Sequence, residues 1–231
     1  MSKLVLHSWD FFGGRPYCPP PDTGLDLVYE DAYLLAVNKP PGLLSVPGKG
    51  SGKEDCQESR VERELGPALV VHRLDMETSG LLLFARDKST QRDLNARFAR
   101  RQIHKQYHAR VTGVPVFNYG IVDLPLIADW DHRPRQKVDF VFGKPSCTGY
   151  QLESVCPESN TSVLRLYPYT GRSHQLRLHM HAIGHSIVGD RIYAIEKPVG
   201  NPGRLQLHAS RLEFLHPVTG KLLTLDCNPS F

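Results

Sequence analysis

The sequence predicts an α+β protein with an antiparallel-rich mixed sheet and a few flanking helices. Three observations indicate this class. Short apolar runs bounded by Gly, Pro or polar residues recur along the 231-residue chain, and such runs are typical of strands. Only three stretches have a helical spacing of apolar residues. Most neighbouring runs are joined by short turns, which favours hairpins over a repeated strand–helix–strand array.

The composition is that of a globular protein and argues against several other classes. Hydrophobic residues make up 40% and charged residues 23% of the chain, which is ordinary for a folded domain. No run of about 18 apolar residues occurs, so we expect no membrane span. The five cysteines are scattered and form no CxxC pair, which argues against a zinc ribbon or a disulfide framework and favours the cytoplasm.

The chain divides into a predicted N-terminal arm, residues 1–24, and one folded domain, residues 25–231. Arg15-Pro16 and the run Pro19-Pro20-Pro21 keep the backbone of the arm extended. The aromatic side chains that could attach the arm to the domain are Trp9, Phe11 and Phe12.

Strands are predicted in order from residue 25. The first two, residues 25–29 and 34–37, flank Glu30-Asp31 and form a predicted hairpin. In a later strand, residues 105–111, Tyr107 shares a face with Ala109. The other predicted strands are residues 81–85, 121–126, 138–142, 148–155, 162–167, 205–215 and 222–226.

Two helices are predicted in the first half of the chain. One covers about residues 54–65 and ends at Gly66, because glycine readily takes the left-handed conformation that closes a helix. The second covers about residues 89–101, with Leu94 and Phe98 four residues apart and facing the core.

A third helix is predicted from the N-cap Ser173 to Gly184. Its core face is expected to carry Leu176, Met180 and Ile183, and a second face His174, Arg177 and His181.

The segment from residue 70 to residue 87 is the strongest candidate for a functional site. It reads VVHRLDMETSGLLLFARD, two apolar runs around a polar turn that presents Arg73 and Asp75 at the edge of a sheet. An isolated Arg-x-Asp is more often a surface ion pair than a reactive site. The turn alone does not decide between the two interpretations.

Positive charge is concentrated between Arg86 and Arg110. This segment of 25 residues holds eight Lys and Arg residues against two Asp residues. Such a patch fits either a nucleic-acid surface or a solvated helix face. The overall net charge of +4 permits a nucleic-acid partner without requiring one.

Several kinds of site are disfavoured by the absence of their motifs. The histidines between His174 and His185 lie close in sequence, but no HExxH and no cysteine partner accompany them, so we predict no metal site. No nucleotide-binding glycine motif and no nucleophile elbow occur. An aspartate without a metal suits nucleophilic attack or charge stabilisation at an electron-poor carbon.

Several spaced motifs resemble those of one family, the RluA family of pseudouridine synthases. HRLDMETSGLLLFA resembles its catalytic motif, KQYHARVTG its second motif and TGRSHQLRLHMHAIGHSIVGDRIY its third. NKPPGLLSVPG and DLPLIADWDHRPRQKV resemble the small members that lack an N-terminal S4 domain. The resemblance begins near Tyr29 and runs to the C-terminus, so residues 25–231 are identified as a pseudouridine synthase catalytic domain without an S4 domain.

The resemblance implies roles for individual residues. Asp75 would be the catalytic carboxylate, Tyr107 would pack on the target base and is a candidate proton acceptor, and Arg177 would pair with Asp75. Arg73 would fill space or contact phosphate where the uridine leaves its stack. Further contacts to RNA are expected from Arg97, Arg101, Lys105, Arg133, Arg135, Lys137, Arg172 and Gln175, the last two of which could instead be structural.

The resemblance also implies partners. We expect a monomer that acts without cofactor or metal on an anticodon-arm uridine of tRNA and a hairpin-loop uridine of large-subunit rRNA. One alternative is an RNA-binding or RNA-chaperone protein that has lost catalysis, for which Asp75 would be dispensable. Another is a hydrolase with Asp75 as nucleophile, which would need a second carboxylate such as Glu77.

Overall fold

The structure, a computed structural model, describes residues 17–194 and 203–231. These residues contain three α-helices and twelve strands. The helices are α1 (Gln57–Leu65), α2 (Lys88–Ala99) and α3 (Gln175–Ala182). The strands are β1 (Leu27–Glu30), β2 (Leu34–Lys39), β3 (Leu69–Val70), β4 (Ser79–Ala85), β5 (His104–Thr112), β6 (Tyr119–Asp123), β7 (Leu126–Ala128), β8 (Gln136–Val138), β9 (Cys147–Cys156), β10 (Thr161–Pro168), β11 (Leu207–Leu215) and β12 (Leu222–Asp226).

Ten of the strands form one mixed sheet. Its main path runs β1-β2-β4-β11-β5-β10-β9-β6, with β12 paired to β11 and β3 paired to β4. All of these pairs are antiparallel except β4 with β11. β7 and β8 form a separate antiparallel hairpin. The predicted α+β class with an antiparallel-rich mixed sheet is confirmed.

The centre of the sheet is buried on both faces. All seven residues of β4 are buried, because alternate side chains of a strand point to opposite faces and helices cover both. Leu81 and Leu83 pack with Leu94 of α2, whereas Leu82 packs with Val61 of α1 on the other face. Burying a leucine contributes about 1.5–3 kcal/mol to the free energy of unfolding, so β4 is a rigid support for the turn before it.

Local sequence explains how the first two helices begin. Cys56 and Ser59 form a reciprocal capping box at the start of α1. The Asp87 carboxylate accepts the backbone N–H groups of Ser89 and Thr90 at the start of α2. Both helices lie where the sequence predicts them, within a few residues at each end.

The start of the third helix differs from the prediction. Ser173 is not its N-cap: His174 precedes the first helical residue in a left-handed conformation, with φ 55°, and makes no side-chain capping bond. The core face is as predicted, since Leu176 and Met180 are buried and Ile183 packs against them. The predicted N-cap was wrong because the His174 side chain is held by tertiary contacts that the local sequence does not reveal.

Two predicted strands were also placed wrongly. The strand expected at residues 138–142 ends at Val138, because the Asp139 carboxylate accepts the N–H groups of Val141 and Phe142 and turns the chain. The strand expected at residues 121–126 is divided into β6 and β7 around Pro125, which has no N–H for a strand ladder.

The described part of the arm lies against the domain. The Tyr17 hydroxyl donates to the carbonyl of Asp55 and accepts the N–H of Leu44. The Arg60 guanidinium donates to the carbonyl of Pro20 over 2.7 Å. Trp9, Phe11 and Phe12, which we expected to attach the arm, lie outside the described residues.

Candidate active site

Asp75 lies in the turn between β3 and β4, and an earlier segment of the chain holds this turn on both sides of it. The Ser45 hydroxyl donates to the carbonyl of Leu74 over 2.8 Å and accepts the Leu74 N–H over 3.1 Å. On the other side, the Gly42 N–H donates to the carbonyl of Met76 over 2.9 Å. The backbone on each side of Asp75 is therefore fixed while its side chain, 31% exposed, remains accessible.

Lys39 supports the same turn from inside the protein. Its side chain is fully buried, and its ammonium group donates to the carbonyls of Pro40, Leu43 and Met76 over 2.7–3.0 Å. Burial lowers its pKa to about 7, against the opposing effect of nearby carboxylates. Lys39 thus uses its three donors to join the end of β2 to the Asp75 turn.

Gly80 allows the turn to enter the sheet next to β11. Its φ is +110°, and a Cβ at this position would lie 2.3 Å from the carbonyl oxygen of Ala209. Only glycine fits both the backbone conformation and the close approach. Gly80 therefore permits the short parallel pairing of β4 and β11 beside Asp75.

Arg177, in the first turn of α3, lies between two carboxylates. Its Nε and Nη2 atoms donate to the two oxygens of Asp190 over 2.7 and 2.8 Å. Its Nη1 atom lies 3.5 Å from Oδ2 of Asp75. The expected pair of Arg177 with Asp75 is present, but the shorter and more buried contact is with Asp190.

The Arg177–Asp190 pair keeps both groups charged inside the protein. Burial opposes ionisation of Asp190, yet the guanidinium and the N–H groups of Ile192 and Tyr193 hold its pKa below the usual value. Burial alone would lower the pKa of Arg177, but Asp190 and then Asp75 raise it overall. Arg177 is therefore a fixed positive charge beside Asp75.

Tyr107 projects from β5, between β11 and β10, and lines the same cleft as Asp75. Burial and the nearby charge of Asp75 raise the pKa of its phenol above the usual value. A phenol with a raised pKa stays protonated at neutral pH. Both predicted roles of Tyr107, packing on the target base and accepting a proton, remain predictions.

The three predicted catalytic residues meet in a cleft of about 830 Å³, a size within the usual range of ligand pockets. Among the described residues that line it, Asp75 is the sole acidic side chain. Aromatic rings of Tyr107, Tyr167 and Tyr169 also face the cleft. The cationic side chains lining the cleft are Arg73, Arg101, Lys105, Arg172 and Arg177.

The predicted RNA-binding residues are placed in two groups, and the first lies in or near the cleft. Arg73, Arg101, Lys105 and Arg172 line it directly. Gln175 also borders the cleft, but its side-chain amide bonds inside the protein with Thr170, Cys147 and Thr148, which favours the structural alternative. Arg97 is not among the residues that line the cleft, and it pairs with Asp93 within α2.

The second group belongs to the β7–β8 hairpin. Arg133 stacks on the ring of Trp130, with 3.7 Å from the guanidinium carbon to the ring centroid, and Trp130 is 67% exposed. The Arg135 guanidinium lies 5.7 Å from the ring centroid of Tyr193. Lys137 lies in β8 with its side chain exposed. These cations lie on a separate element that reaches the site through Tyr193.

The clustered histidines have individual hydrogen-bond partners. His179 is fully buried between the hydroxyl of Thr148 and the carbonyl of Leu124. His181 and His185 bond with Ser186 and with the carbonyl of Thr112. Across residues 17–194 and 203–231, no group of three or more His, Cys, Asp or Glu side chains is placed to hold a metal ion.

Four residues of the site were not singled out from the sequence as parts of it. They are Lys39, His174, Asp190 and Tyr193. One chemical signal pointed toward Asp190. Arg177 has five N–H donors, and a single partly exposed carboxylate such as Asp75 cannot satisfy all of them if the guanidinium is buried. All four lie in segments that resemble family motifs, Lys39 in NKPPGLLSVPG and the other three in TGRSHQLRLHMHAIGHSIVGDRIY. The resemblance by itself assigned no role in the site to their side chains.

Comparison with known proteins identifies the family. The family described as RNA pseudouridylate synthase matches residues 33–182. The chain is 50% identical over 209 residues to the dual-specificity RNA pseudouridine synthase RluA of Vibrio cholerae, covering 90% of this chain and 84% of the relative. It is 45% identical over 219 residues to the protein of the same name from Escherichia coli K12, covering 95% of this chain and 100% of the relative.

A solved structure supports the same assignment. Human RNA pseudouridylate synthase domain containing 1 superposes with a TM-score of 0.78 at 25% sequence identity, covering 93% of this chain and 87% of that chain. The helices that the structure describes are all too short or too polar to cross a bilayer. The segment that matches the family contains the Asp75 turn, Tyr107 and Arg177, and the chain belongs to the RNA pseudouridylate synthase family.

Proposed function

We propose that this pseudouridine synthase uses Asp75 as its catalytic carboxylate. The observation that carries this proposal is the position of Asp75, the sole acidic side chain among the described residues of a cleft that also holds five Lys and Arg side chains. The reaction breaks the N1–C1′ bond of a uridine and joins C1′ to C5 of the same base. A carboxylate close to the nucleotide can act at an electron-poor carbon during this exchange.

Arg177 and Tyr107 have supporting roles in this proposal. Arg177 holds the Asp75 carboxylate as a charged partner at 3.5 Å, while Asp190 keeps the guanidinium in place. The ring of Tyr107 packs against the target base and retains the detached uracil while it turns.

The cations of the cleft are proposed to bind the RNA backbone around the target uridine. Arg73, Arg101, Lys105 and Arg172 are suited to contact phosphates. The target base must leave its stack to reach Asp75, at a cost of about a few kcal/mol. Phosphate contacts to these four residues would offset that cost, and the β7–β8 hairpin with Arg133, Arg135 and Lys137 would extend the contact area.

The names of the relatives support a proposal about the substrates. They are named dual-specificity RNA pseudouridine synthases, and we propose that this protein acts on an anticodon-arm uridine of tRNA and on a hairpin-loop uridine of large-subunit rRNA. We propose further that it works as a cytoplasmic monomer without a cofactor or a metal.

Pseudouridine mapping of tRNA and large-subunit rRNA tests the substrate assignment. RNA from cells with and without the gene would be compared, with a third strain expressing the Asp75→Asn variant. We expect one tRNA site and one rRNA site to lose pseudouridine in both deficient strains. Loss from one RNA class alone would reject dual specificity, and an unchanged map would reject the assignment.

Two alternatives predict a different result, either for this variant or for the reaction product. An RNA-binding or RNA-chaperone protein would function equally well with Asp75→Asn. A hydrolase would release free uracil and would need a second acid, for which Glu77 is the nearest candidate. Glu77 is not among the residues that line the cleft, so the isomerase is favoured.

A further inference from the structure

His174 lies beside Asp75 but has no role in the reaction described above. Its side chain is 11% exposed, and its Nε2 atom lies 3.9 Å from Oδ2 of Asp75. The residue is in the left-handed conformation, with φ 55°. A residue other than glycine in this conformation persists when its surroundings hold it there, so the placement of this ring needs an explanation.

Tyr193 determines which nitrogen of His174 carries the proton. The backbone N–H of Gln136 donates to the Tyr193 hydroxyl oxygen over 2.8 Å. His174 Nδ1 lies 2.9 Å from the same oxygen. If Nδ1–H of His174 also donated to this oxygen, the hydroxyl hydrogen of Tyr193 would have no acceptor among the described residues. The arrangement that satisfies every donor has the hydroxyl donating to Nδ1, which leaves the proton on Nε2.

The Nε2–H group therefore lies near the same carboxylate oxygen that Arg177 approaches. Nη1 of Arg177 lies 3.5 Å from Oδ2 of Asp75, and Nε2 of His174 lies 3.9 Å from it. Both distances are longer than an ideal hydrogen bond, as is common for catalytic groups before substrate binds. Two donors on Oδ2 would leave Oδ1 directed into the cleft.

From this geometry we infer that His174 is a positioning residue for Asp75, and that Tyr193 acts through it. The Tyr193 hydroxyl holds the Nε2–H tautomer, and His174 donates to Oδ2 as the RNA closes the cleft. In this tautomer Nε2 already carries a proton and Nδ1 accepts the hydrogen bond of the Tyr193 hydroxyl. The imidazole therefore orients the carboxylate and does not accept the proton from C5. The inference rests on the proposed role of Asp75.

A matched pair of variants tests the role of His174. Gln and Leu are both unbranched at Cβ and carry a similar backbone cost at φ 55°, but only His174→Gln retains an N–H donor near the Nε2 position. The measurement is single-turnover release of tritium from in vitro transcripts of tRNA and large-subunit rRNA labelled at C5 of uridine. We expect His174→Leu to slow release about tenfold to a hundredfold, and His174→Gln to stay within about fivefold of the parent protein.

RNA affinity separates positioning from a merely structural effect. We expect the dissociation constant for the same transcripts to change less than about twofold in both variants, because His174 acts on Asp75 and not on phosphate. Equal rates for His174→Leu and the parent protein would overturn the inference. Equal losses in His174→Leu and His174→Gln would also overturn it, since the N–H donor would then be irrelevant.

A double-mutant cycle tests the contribution of Tyr193. Tyr193→Phe removes the hydroxyl and keeps the ring, and we expect it to slow release about threefold to tenfold. In the His174→Leu background the same change should have less than about a twofold effect, because its target is already absent. Fully additive losses would overturn the part assigned to Tyr193. Tyr29→Phe, which removes a hydroxyl bonded to Asp31 outside the cleft, is the control for loss of a hydrogen-bonded, partly buried hydroxyl.

Asp75→Asn is included in the series to separate this inference from the proposed function. A normal rate in Asp75→Asn would reject the catalytic role of Asp75, and the inference would be rejected with it. A strongly reduced rate in Asp75→Asn together with a normal rate in His174→Leu would reject the inference alone.

Discussion

Arg177 contacts two carboxylates that are held very differently. Asp190 is 1% exposed and receives two guanidinium bonds of 2.7 and 2.8 Å, whereas Asp75 is 31% exposed and lies 3.5 Å from the remaining nitrogen. The Asp190 carboxylate is neutralised by Arg177 inside the protein, whereas the Asp75 carboxylate is only partly neutralised and remains accessible from the cleft. One buried cation thus serves a structural pair and the proposed catalytic carboxylate, and the difference lies in exposure and number of donors.

Closely packed glycines lie near both carboxylates, Gly80 near Asp75 and Gly189 next to Asp190. Gly189 precedes Asp190 with φ +79°, and a Cβ there would lie 2.0 Å from the carbonyl oxygen of Arg204. The chain around Asp190 is therefore packed too closely for any other residue. Around Asp75 the tight contacts involve the backbone of Leu74 and Met76, so that the carboxylate itself projects into the cleft.

The largest expected effect is on the reactive side of this comparison. Asp75→Asn should reduce single-turnover pseudouridine formation by about a thousandfold or more, because the neutral amide cannot act as the carboxylate does. The free energy of unfolding should change by less than about 1 kcal/mol, since the group is partly exposed. Tritium release and chemical denaturation measure the two quantities. A large loss of stability would mean that Asp75 is as structural as Asp190.

Asp190→Asn should have the opposite profile, with a large effect on stability. Removing one partner of a buried ion pair leaves an uncompensated charge, which costs about 3–5 kcal/mol. Denaturant unfolding of Asp190→Asn and Asp75→Asn side by side measures the contrast. We also expect Asp190→Asn to lower activity, because Arg177 loses its anchor. Equal stability of the two variants would contradict the division of roles.

Lys39→Met tests whether the Asp75 turn depends on the buried ammonium group. Three backbone carbonyls would lose their donor, and we expect a loss of about 2–3 kcal/mol in the free energy of unfolding. The pKa of Lys39 is lowered to about 7 in the folded protein, so between about pH 7 and pH 10 the unfolded chain binds more protons than the native state.

The parent protein should therefore gain stability relative to Lys39→Met as the pH rises through this range. Below about pH 7 the lysine is protonated in both states, and the difference between the proteins should be constant. Denaturant unfolding at pH 6, 7, 8 and 9 measures the trend. A difference that does not vary with pH would show that the buried lysine keeps an ordinary pKa.

The smallest expected effect concerns the cations around Asp75. Arg101→Gln removes a cation that lines the cleft, and we expect RNA affinity to fall about threefold to tenfold with a reduction of about one in the salt-dependence slope. Arg97→Gln is the matched control, because Arg97 is paired with Asp93 and does not line the cleft. Binding titrations at several salt concentrations distinguish the two. Equal effects would mean that the RNA covers α2 as well.

Patterns within a few residues were sufficient for much of the fold. The apolar run of β4, the capping aspartate of α2 and the spacing of Leu176 and Met180 predicted elements that the structure contains. β12 has the predicted bounds, Leu222–Asp226. These features depend on periodicity and on capping groups near in sequence, which a single chain displays directly.

The candidate site was predicted in part. The motifs singled out Asp75, Tyr107 and Arg177, which the structure brings to one cleft. They did not reveal that Arg177 is anchored by Asp190, or that Lys39 reaches the carbonyl of Met76, 37 residues away. Nor did they indicate that Ser173 would be displaced as N-cap by the contacts of His174.

The reason is the range of the interactions involved. Local sequence was sufficient to locate the turn that carries Asp75 and to mark it as unusual. Whether that turn is an exposed ion pair or a reactive group depends on burial and on charges from β5, α3 and the segment after β2, which meet only when the sheet has formed. Tertiary packing therefore decided which of the two carboxylates beside Arg177 is neutralised by it and which remains accessible to RNA.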